Sequence, residues 1–281
     1  MQTPFPSVPT INRWGNPEGE VLFFLHANSF SSKMYQSFLE PLFTGYDIWA
    51  PDLPGHGDSR WNGRIEAWVD LATYYIAHLD KNPPGKPMVA MGHSIGGIVI
   101  MLMAIQRPDW FKKIILLDPV LLPKRILVLF RVLKLLSLTH IIPLAKAAER
   151  RKNHFQDRTS ARKHYAKKKI FSRWEPRFLG AYVDTCLHED GKGEFQLSCA
   201  PQLESSIYQS IPLNVWRLPK KLPLPALFII GEISDTVNQR GFKRIKRSSG
   251  NHIVKSVHAG HLFPFEKPGE SMAIIKDYLT T

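Results

Sequence analysis

Short apolar runs alternate with stretches of helical character over the first 120 residues and again after residue 220. Six runs have the length and composition of buried strands: residues 21–25, 46–50, 88–91, 114–117, 226–230 and 252–257. Five stretches have the spacing or the apolar length of helices: residues 33–43, 65–79, 98–105, 239–247 and 270–279. This alternation predicts an α/β protein with a mostly parallel central sheet flanked by helices.

The alternation stops at Pro119. The residues that follow are first leucine-rich and then strongly basic, and they predict helices. We therefore predict one α/β core, formed by residues 1–119 and 217–281, that is interrupted by a helical insertion over residues 120–216. The first twenty residues, rich in proline, glycine and asparagine, are predicted to be loop.

The bulk composition is that of a soluble globular protein, with 281 residues of which 44% are hydrophobic. The most apolar stretch, residues 126–142, carries Arg131 and Lys134 and is predicted not to span a membrane. The N-terminus lacks the basic start and apolar core of a signal peptide. Cys186 and Cys199 belong to no motif for a disulfide framework or a metal site. These features predict a cytoplasmic protein, with neither a metal nor a cofactor.

The net charge of +13 comes from one segment. Residues 121–177 contain 16 lysines and arginines against three acidic residues, whereas the rest of the chain has 21 of each sign. The basic tract over residues 146–173 has three interpretations: a solvated helix face, peripheral contact with an anionic membrane surface, or attraction of an anionic substrate. Nucleic-acid binding is not expected, because the aromatic residues of this tract form no recognised reading motif.

The leucine-rich part of the insertion offers more apolar surface than one packed helix face requires. Apolar residues dominate residues 121–142, and only part of them can face a core. The surplus predicts an apolar roof over a substrate pocket.

A nucleophile candidate stands out in the first half of the chain. Residues 90–97 read Ala-Met-Gly-His-Ser-Ile-Gly-Gly and place a G-x-S-x-G motif between a predicted strand and a predicted helix. A serine at such a turn is lifted clear of the sheet, and small neighbours such as Gly92 and Gly96 let the turn close. Ser94 is therefore predicted to be a nucleophile.

A serine hydroxyl needs a base, and the base needs a third group that holds its tautomer. His261 follows the last predicted strand, where a parallel sheet places its chemistry. Three acids follow earlier strands: Asp235 is the first choice, Glu232 the second and Asp118 the third. The order Ser94, Asp235, His261 matches a known Ser…Asp…His order.

Together with three further motifs, these residues resemble the α/β-hydrolase superfamily from residue 21 to the C-terminus. Residues 25–29 (Leu-His-Ala-Asn-Ser) resemble the loop that supplies an oxyanion-hole amide, with Ala27 in place of the usual glycine. Residues 52–59 resemble the D-x-x-G-x-G-x-S turn, and residues 260–268 resemble the G-H-x-x-x-x-E-x-P ending. The resemblance implies a cap inserted after the strand ending at Leu117, which is the sixth-strand position of the family. Only about twenty residues precede the first clear strand, so the family's usual opening hairpin is expected to be short or missing.

The resemblance also implies a mechanism. Ser94 would attack an acyl carbonyl, His261 would accept its proton, Asp235 would support the imidazolium, and the backbone N–H groups of Asn28 and Ile95 would hold the oxyanion. His26 and His93 are expected to brace the loops rather than to transfer protons.

We expect a carboxylesterase or lipase (EC 3.1.1) that acts on esters of hydrophobic substrates. The alternatives are a carbon–carbon, lactone or thioester hydrolase with the same triad, and a non-catalytic member that binds a hydrophobic ligand or a membrane.

Overall fold

The structure is a computed structural model, and it describes residue 5 and residues 8–248 and 251–281. The strands in this part of the chain are β1 (Ile11–Gly15), β2 (Glu20–Leu25), β3 (Tyr46–Pro51), β4 (Met88–His93), β5 (Phe111–Leu117), β6 (His154–Phe155), β7 (Leu187–Glu189), β8 (Phe195–Leu197), β9 (Ala226–Gly231) and β10 (Ile253–Val257). The α-helices are α1 (Gln36–Leu39), α2 (Trp68–Lys81), α3 (Ile95–Gln106), α4 (Lys124–Leu135), α5 (Pro143–Glu149), α6 (Arg158–Ala166), α7 (Pro176–Thr185), α8 (Pro201–Gln209), α9 (Leu218–Lys221), α10 (Gln239–Lys246), α11 (Phe263–Glu266) and α12 (Pro268–Thr280).

Seven of these strands form one central sheet in the order β1-β3-β2-β4-β5-β9-β10. Only β1 is antiparallel to its neighbour, and the other adjacent pairs are parallel. The predicted fold class, a mostly parallel sheet flanked by helices, is confirmed.

The sheet is covered on both faces because alternate residues of its strands enter two separate cores. In β2, Phe23 and Leu25 belong to the core that includes α2 and α3, whereas Leu22 and Phe24 belong to the core that includes α1 and α12. The two-residue side-chain period of a strand produces this division. It also explains why the central strands are apolar throughout rather than alternating.

The prediction that the first twenty residues are loop is wrong over residues 11–15, which form β1 at the edge of the sheet. This strand is only partly buried and is held by an ion pair from Arg13 to Asp47 of β3. A short, polar edge strand lacks the apolar run that marks a buried strand, so the pattern missed it. Residues 1–4 and 6–7, which the same prediction covered, lie outside the described residues.

The segment between β5 and β9 contains the helices α4 to α9, of which α4 to α8 lie in the predicted helical insertion, together with a small antiparallel sheet in the order β6-β8-β7. Strands of two or three residues are too short to give a periodic signal, so this sheet was not predicted. The segment follows β5, the strand that ends at Leu117, which is where the resemblance placed the insertion. Its assignment as a separate cap over residues 120–216 stays a prediction.

No helix in the described ranges is both long and apolar enough to cross a bilayer.

Candidate active site

Ser94 occupies a sharp turn between β4 and α3. Its backbone has φ 58° and ψ −118°, and its amide donates to the carbonyl oxygen of Leu117 at 2.9 Å. A non-glycine residue with positive φ is strained and persists where its surroundings hold it in place. The turn therefore presents the Ser94 hydroxyl above the end of the sheet, as the motif predicted.

Two glycines of the motif are required by close backbone approaches. A Cβ atom added to Gly96 would lie 2.3 Å from the carbonyl oxygen of Leu25, and one added to Gly92 would lie 2.5 Å from the carbonyl carbon of Gly96. Both distances are shorter than real Cβ contacts, so a side chain at either position would push α3 away from the sheet. The small residues therefore fix where Ser94 lies.

His261 lies beside Ser94, with its Nε2 atom 2.9 Å from Ser94 Oγ. The loop that carries His261 is held at two points. The amide of Gly260 donates to Glu266 Oε2 at 3.0 Å, and His93 Nε2 lies 2.9 Å from the carbonyl oxygen of His261.

His93 braces this loop, as expected from the sequence. A carbonyl oxygen can only accept, so Nε2 of His93 carries the proton, and Nδ1 accepts from the hydroxyl of Tyr35 at 2.6 Å. Burial is the largest cause that lowers the pKa of His93 well below its ordinary value. His93 is therefore a neutral residue that connects Tyr35 in the core to the backbone of the His261 loop through hydrogen bonds.

Asp118 supplies the carboxylate next to His261. Its Oδ2 atom lies 2.5 Å from His261 Nδ1 and accepts the hydroxyl of Ser234 at 2.5 Å, and its Oδ1 accepts the amide of Gly231 at 3.1 Å. The side chain is fully buried, so these donors replace the water that an ionised carboxylate needs. Asp118 holds a φ of 40°, another strained position at this edge of the sheet.

The expectation that Asp235 supports His261 is corrected by this arrangement. Asp235 is exposed, and across the described ranges it forms no hydrogen bond with His261. The turn after β9 directs the Ser234 hydroxyl inward to Asp118 and leaves the next side chain, Asp235, in solvent. Glu232, the second choice, forms a hydrogen bond with His258 instead, with 2.9 Å between Glu232 Oε2 and His258 Nδ1.

The hydrogen bonds assign the tautomer of His261. Nδ1 donates its proton to Asp118, which leaves the Nε2 lone pair facing the Ser94 hydroxyl. Burial is the largest single influence and lowers the pKa of His261, but the hydrogen bond and charge of Asp118, with smaller contributions from Asp235 and Glu266, outweigh it and raise the pKa above its ordinary value. The imidazole can therefore accept a proton from Ser94 and hold it as a stabilised imidazolium.

Sequence reasoning missed two hydroxyls in this network. Ser234 bonds the carboxylate, and Thr236 Oγ1 lies 3.1 Å from His261 Nδ1. The amide of Thr236 also donates to Ser234 Oγ at 3.1 Å, so the turn holds both hydroxyls in place. Serine and threonine are so frequent in turns that their presence after a strand carried no signal.

The predicted oxyanion donors lie at the expected positions in the fold. Asn28 follows the end of β2, and Ile95 is the first residue of α3, where a backbone N–H has no partner inside the helix. Within the described part of the chain, neither N–H forms a hydrogen bond, so both are available to a ligand. The Asn28 side chain contacts His56 Nε2 at 3.2 Å, which anchors the loop. Their role as an oxyanion hole stays a prediction.

His26 fixes the other side of this loop. Its Nε2 accepts the amide of Leu53 at 2.9 Å, and its Nδ1 lies 2.7 Å from the carbonyl oxygen of Ala27. Burial lowers the pKa of His26 to about 4, so the ring is neutral at pH 7. It ties the segment before Asn28 to the turn after β3, as expected for a bracing residue.

The chain is similar to several known proteins. The chain is 44% identical to Lipase LipV of Mycobacterium tuberculosis over 73 residues, which are 26% of this chain and only 27% of that protein. It is 25% identical to a Probable alcohol acetyltransferase of Wickerhamomyces anomalus over 277 residues, which cover 94% of this chain and 79% of that protein.

Solved structures show the same fold. The crystal structure of E-2-(Acetamidomethylene)succinate Hydrolase superimposes with a TM-score of 0.80 at 16% identity, covering 96% of this chain and 94% of that one. The model of the Alpha/beta hydrolase family matches residues 22–273, which is most of the chain. Because the match spans nearly the whole chain and includes both Ser94 and His261, this protein belongs to the alpha/beta hydrolase family.

Proposed function

We propose that this protein is a serine hydrolase that cleaves carboxylic esters of hydrophobic substrates through an acyl-enzyme. The observation that carries the proposal is the continuous path from Ser94 Oγ through both ring nitrogens of His261 to Asp118 Oδ2, with distances of 2.9 and 2.5 Å. Such a path activates a hydroxyl for nucleophilic attack at neutral pH.

In the proposed reaction, Ser94 Oγ forms a bond to the ester carbonyl carbon while its proton moves to His261 Nε2. The N–H groups of Asn28 and Ile95 hold the oxyanion, and removal of one such donor typically costs about a hundredfold or more in rate. The intermediate then expels the alcohol, which takes the proton from His261. Water, deprotonated by His261, attacks the acyl-enzyme, and the acid leaves with Ser94 restored.

The local match to a lipase supports esters of hydrophobic substrates. The carboxylate that supports His261 is proposed to be Asp118, because it has the hydrogen bond that Asp235 lacks.

Transfer of the acyl group to an alcohol is a second candidate. The relative described as an alcohol acetyltransferase spans nearly all of this chain, and an acyl-enzyme can react with an alcohol as well as with water. The two functions share the first half-reaction and differ only in the acceptor.

A substrate panel tests the proposal and its alternatives. We expect p-nitrophenyl esters of medium and long acyl chains to be cleaved with a higher kcat/KM than lactones and acyl-thioesters, and a fluorophosphonate probe to label Ser94. Faster turnover of a lactone or thioester would replace the ester assignment, and absence of labelling would favour a non-catalytic protein. Formation of ethyl ester from added ethanol, measured by gas chromatography, would identify the acyltransferase.

The pH dependence of ester cleavage should follow His261. The base works only when neutral, and Asp118 raises its pKa, so kcat/KM should be lost as the pH falls through a midpoint above the ordinary value of 6.5. Removing the Asp118 charge should move that midpoint down. A profile measured with a neutral p-nitrophenyl ester checks this, and a rate that is flat from about pH 5 to 9 would contradict a histidine base.

A further inference from the structure

The segment from α4 to the start of α5 exposes an unusual amount of apolar surface. Of the thirteen large hydrophobic residues that are exposed in the described part of the chain, eight lie between residues 128 and 144. We call these eight the α4 face: Val128, Leu129, Val132, Leu135, Leu136, Leu138, Ile141 and Leu144. All eight side chains are exposed, and Val128 also lines an open cavity. The apolar roof over a substrate pocket stays a prediction.

The exposure follows from the geometry of α4. Leu127 and Phe130 are buried in the core, and they leave Val128, Val132 and Leu135 to form a stripe at positions i, i+4 and i+7 on the opposite side. Leu135 is 80% exposed and Val128 is 63% exposed. A helix that packs one apolar side on its own protein and turns a second apolar side to water indicates an interaction surface.

The charges around this face are positive. Between Asp118 and Glu149 the chain has five lysines and arginines and no acidic residue. Lys124 and Arg131 of α4 line a cavity of about 260 Å³ together with Arg217 and Arg244. Within the described ranges, none of these four side chains forms an ion pair with a carboxylate, so their charge is available to an anion.

We propose that the α4 face docks on an anionic phospholipid bilayer, with the aliphatic side chains in the acyl boundary and the cationic cavity on the phosphate headgroups. An apolar helix face bordered by lysine and arginine is the pattern of helices that lie in the membrane interface. A second copy of the chain fits less well, because a two-fold interface would bring two uncompensated cationic surfaces together.

The α4 face lies at a different place in the chain from the membrane contact that the sequence predicted at residues 146–173. That tract exposes many cations, but Ile170 is its one large exposed hydrophobic residue among those described. Charges alone hold a protein at a bilayer weakly, because salt screens their attraction to the headgroups. Burial of aliphatic side chains in the acyl boundary is not weakened by that screening. The α4 face therefore provides the anchor, and the tract can add only long-range attraction.

Vesicle flotation tests the proposal with the full-length protein and no substrate, so the result is independent of the hydrolase assignment. We expect binding to vesicles of phosphatidylcholine and phosphatidylglycerol at a molar ratio of about 7 to 3, and much weaker binding to phosphatidylcholine alone. Raising the salt from about 0.1 M to about 1 M should reduce the binding without abolishing it.

A triple glutamine variant tests the apolar anchor. It should lower the affinity for the anionic vesicles by about tenfold or more, because it removes three aliphatic groups from the acyl boundary. Glutamine favours a helix at least as well as valine, so α4 should stay folded, which circular dichroism will check. The variant carries the substitutions Val128→Gln, Val132→Gln and Leu135→Gln.

Two further variants are controls. The first removes three exposed aliphatic residues elsewhere, with exposed fractions of 61%, 45% and 41%, and should bind vesicles like the wild type: Val8→Gln, Val69→Gln and Ile253→Gln. The second neutralises part of the basic tract and should change the affinity less than the α4 variant does: Lys167→Gln, Lys168→Gln and Lys169→Gln.

Three outcomes would overturn the proposal. Wild-type protein that does not float with the anionic vesicles has no such surface. An α4 variant that binds as the wild type does, while the lysine variant fails to bind, would assign the contact to the basic tract. Light scattering that shows a wild-type dimer and a monomeric α4 variant, without vesicle binding by either, would mean that a second copy covers the face.

Discussion

Ser94→Ala is expected to lower kcat for ester hydrolysis by about 10⁴-fold or more. The substitution removes the oxygen that attacks the ester in the first step of the proposed mechanism, and no other hydroxyl forms a hydrogen bond with His261 Nε2 within the described ranges. Hydrolysis of a p-nitrophenyl ester under saturating conditions measures the effect. The fluorophosphonate label should be lost in the same variant.

The fold of Ser94→Ala should stay intact. The φ of 58° at this position strains alanine about as much as serine, so the substitution should change the free energy of unfolding by less than about 1 kcal/mol. Ser271→Ala is the matched control, because Ser271 is also a buried serine, but among the described residues its hydroxyl bonds only the carbonyl oxygen of Lys267, just before α12. Turnover by Ser94→Ala within about tenfold of the wild type would refute the nucleophile.

Asp118→Asn is expected to lower kcat by about 10⁴-fold. The neutral amide cannot stabilise the imidazolium. If its NH₂ group faces His261 Nδ1, that nitrogen must accept, and the ring carries its proton on Nε2. Nε2 then has no lone pair to accept the proton of the Ser94 hydroxyl. The Gly231 amide can only donate and bonds Oδ1, so the asparagine oxygen should keep that place. The NH₂ group then takes the place of Oδ2, facing His261 Nδ1 and the Ser234 hydroxyl, which can turn to accept from it.

Asp235→Asn is the matched control for this prediction. Asp235 lies near enough for its charge to help raise the pKa of His261, but it is exposed and makes no hydrogen bond with the ring. Its substitution should change kcat by less than about tenfold, since an exposed charge is screened by solvent. A severe loss in Asp235→Asn with mild loss in Asp118→Asn would return the role to Asp235.

The turn at Ser94 and the loop position of His261 could be predicted from the sequence because both depend on local structure. A serine between glycines, a strand before it and a helix after it together specify the turn at residues 92–97, where side chains have no room. His261 follows the last strand of a parallel sheet, and the carboxyl ends of such strands lie on one edge. Both inferences need only neighbouring residues and the fold class.

The choice between Asp118 and Asp235 needed the tertiary structure. Both residues follow strands, and both satisfy the order serine, acid, histidine, so chain order could not separate them. The pairing of β5 with β9 places Leu117 opposite Ile229, and the Asp118 amide then donates to the carbonyl oxygen of Ile229 at 2.8 Å. This register points the Asp118 carboxylate at the Gly231 amide and the His261 ring.

The α4 face shows the same division between local and tertiary information. The leucine-rich pattern of residues 121–142 determined that an apolar helix would form, but it could not assign each apolar side to core, pocket or solvent. Only the packing of Leu127 and Phe130 decided that Val128, Val132 and Leu135 face outward. The sequence by itself predicted the main strands and helices of the core and the turn that holds Ser94, since those depend on nearest neighbours. The supporting carboxylate and the exposed apolar face were decided by contacts between residues far apart in the chain.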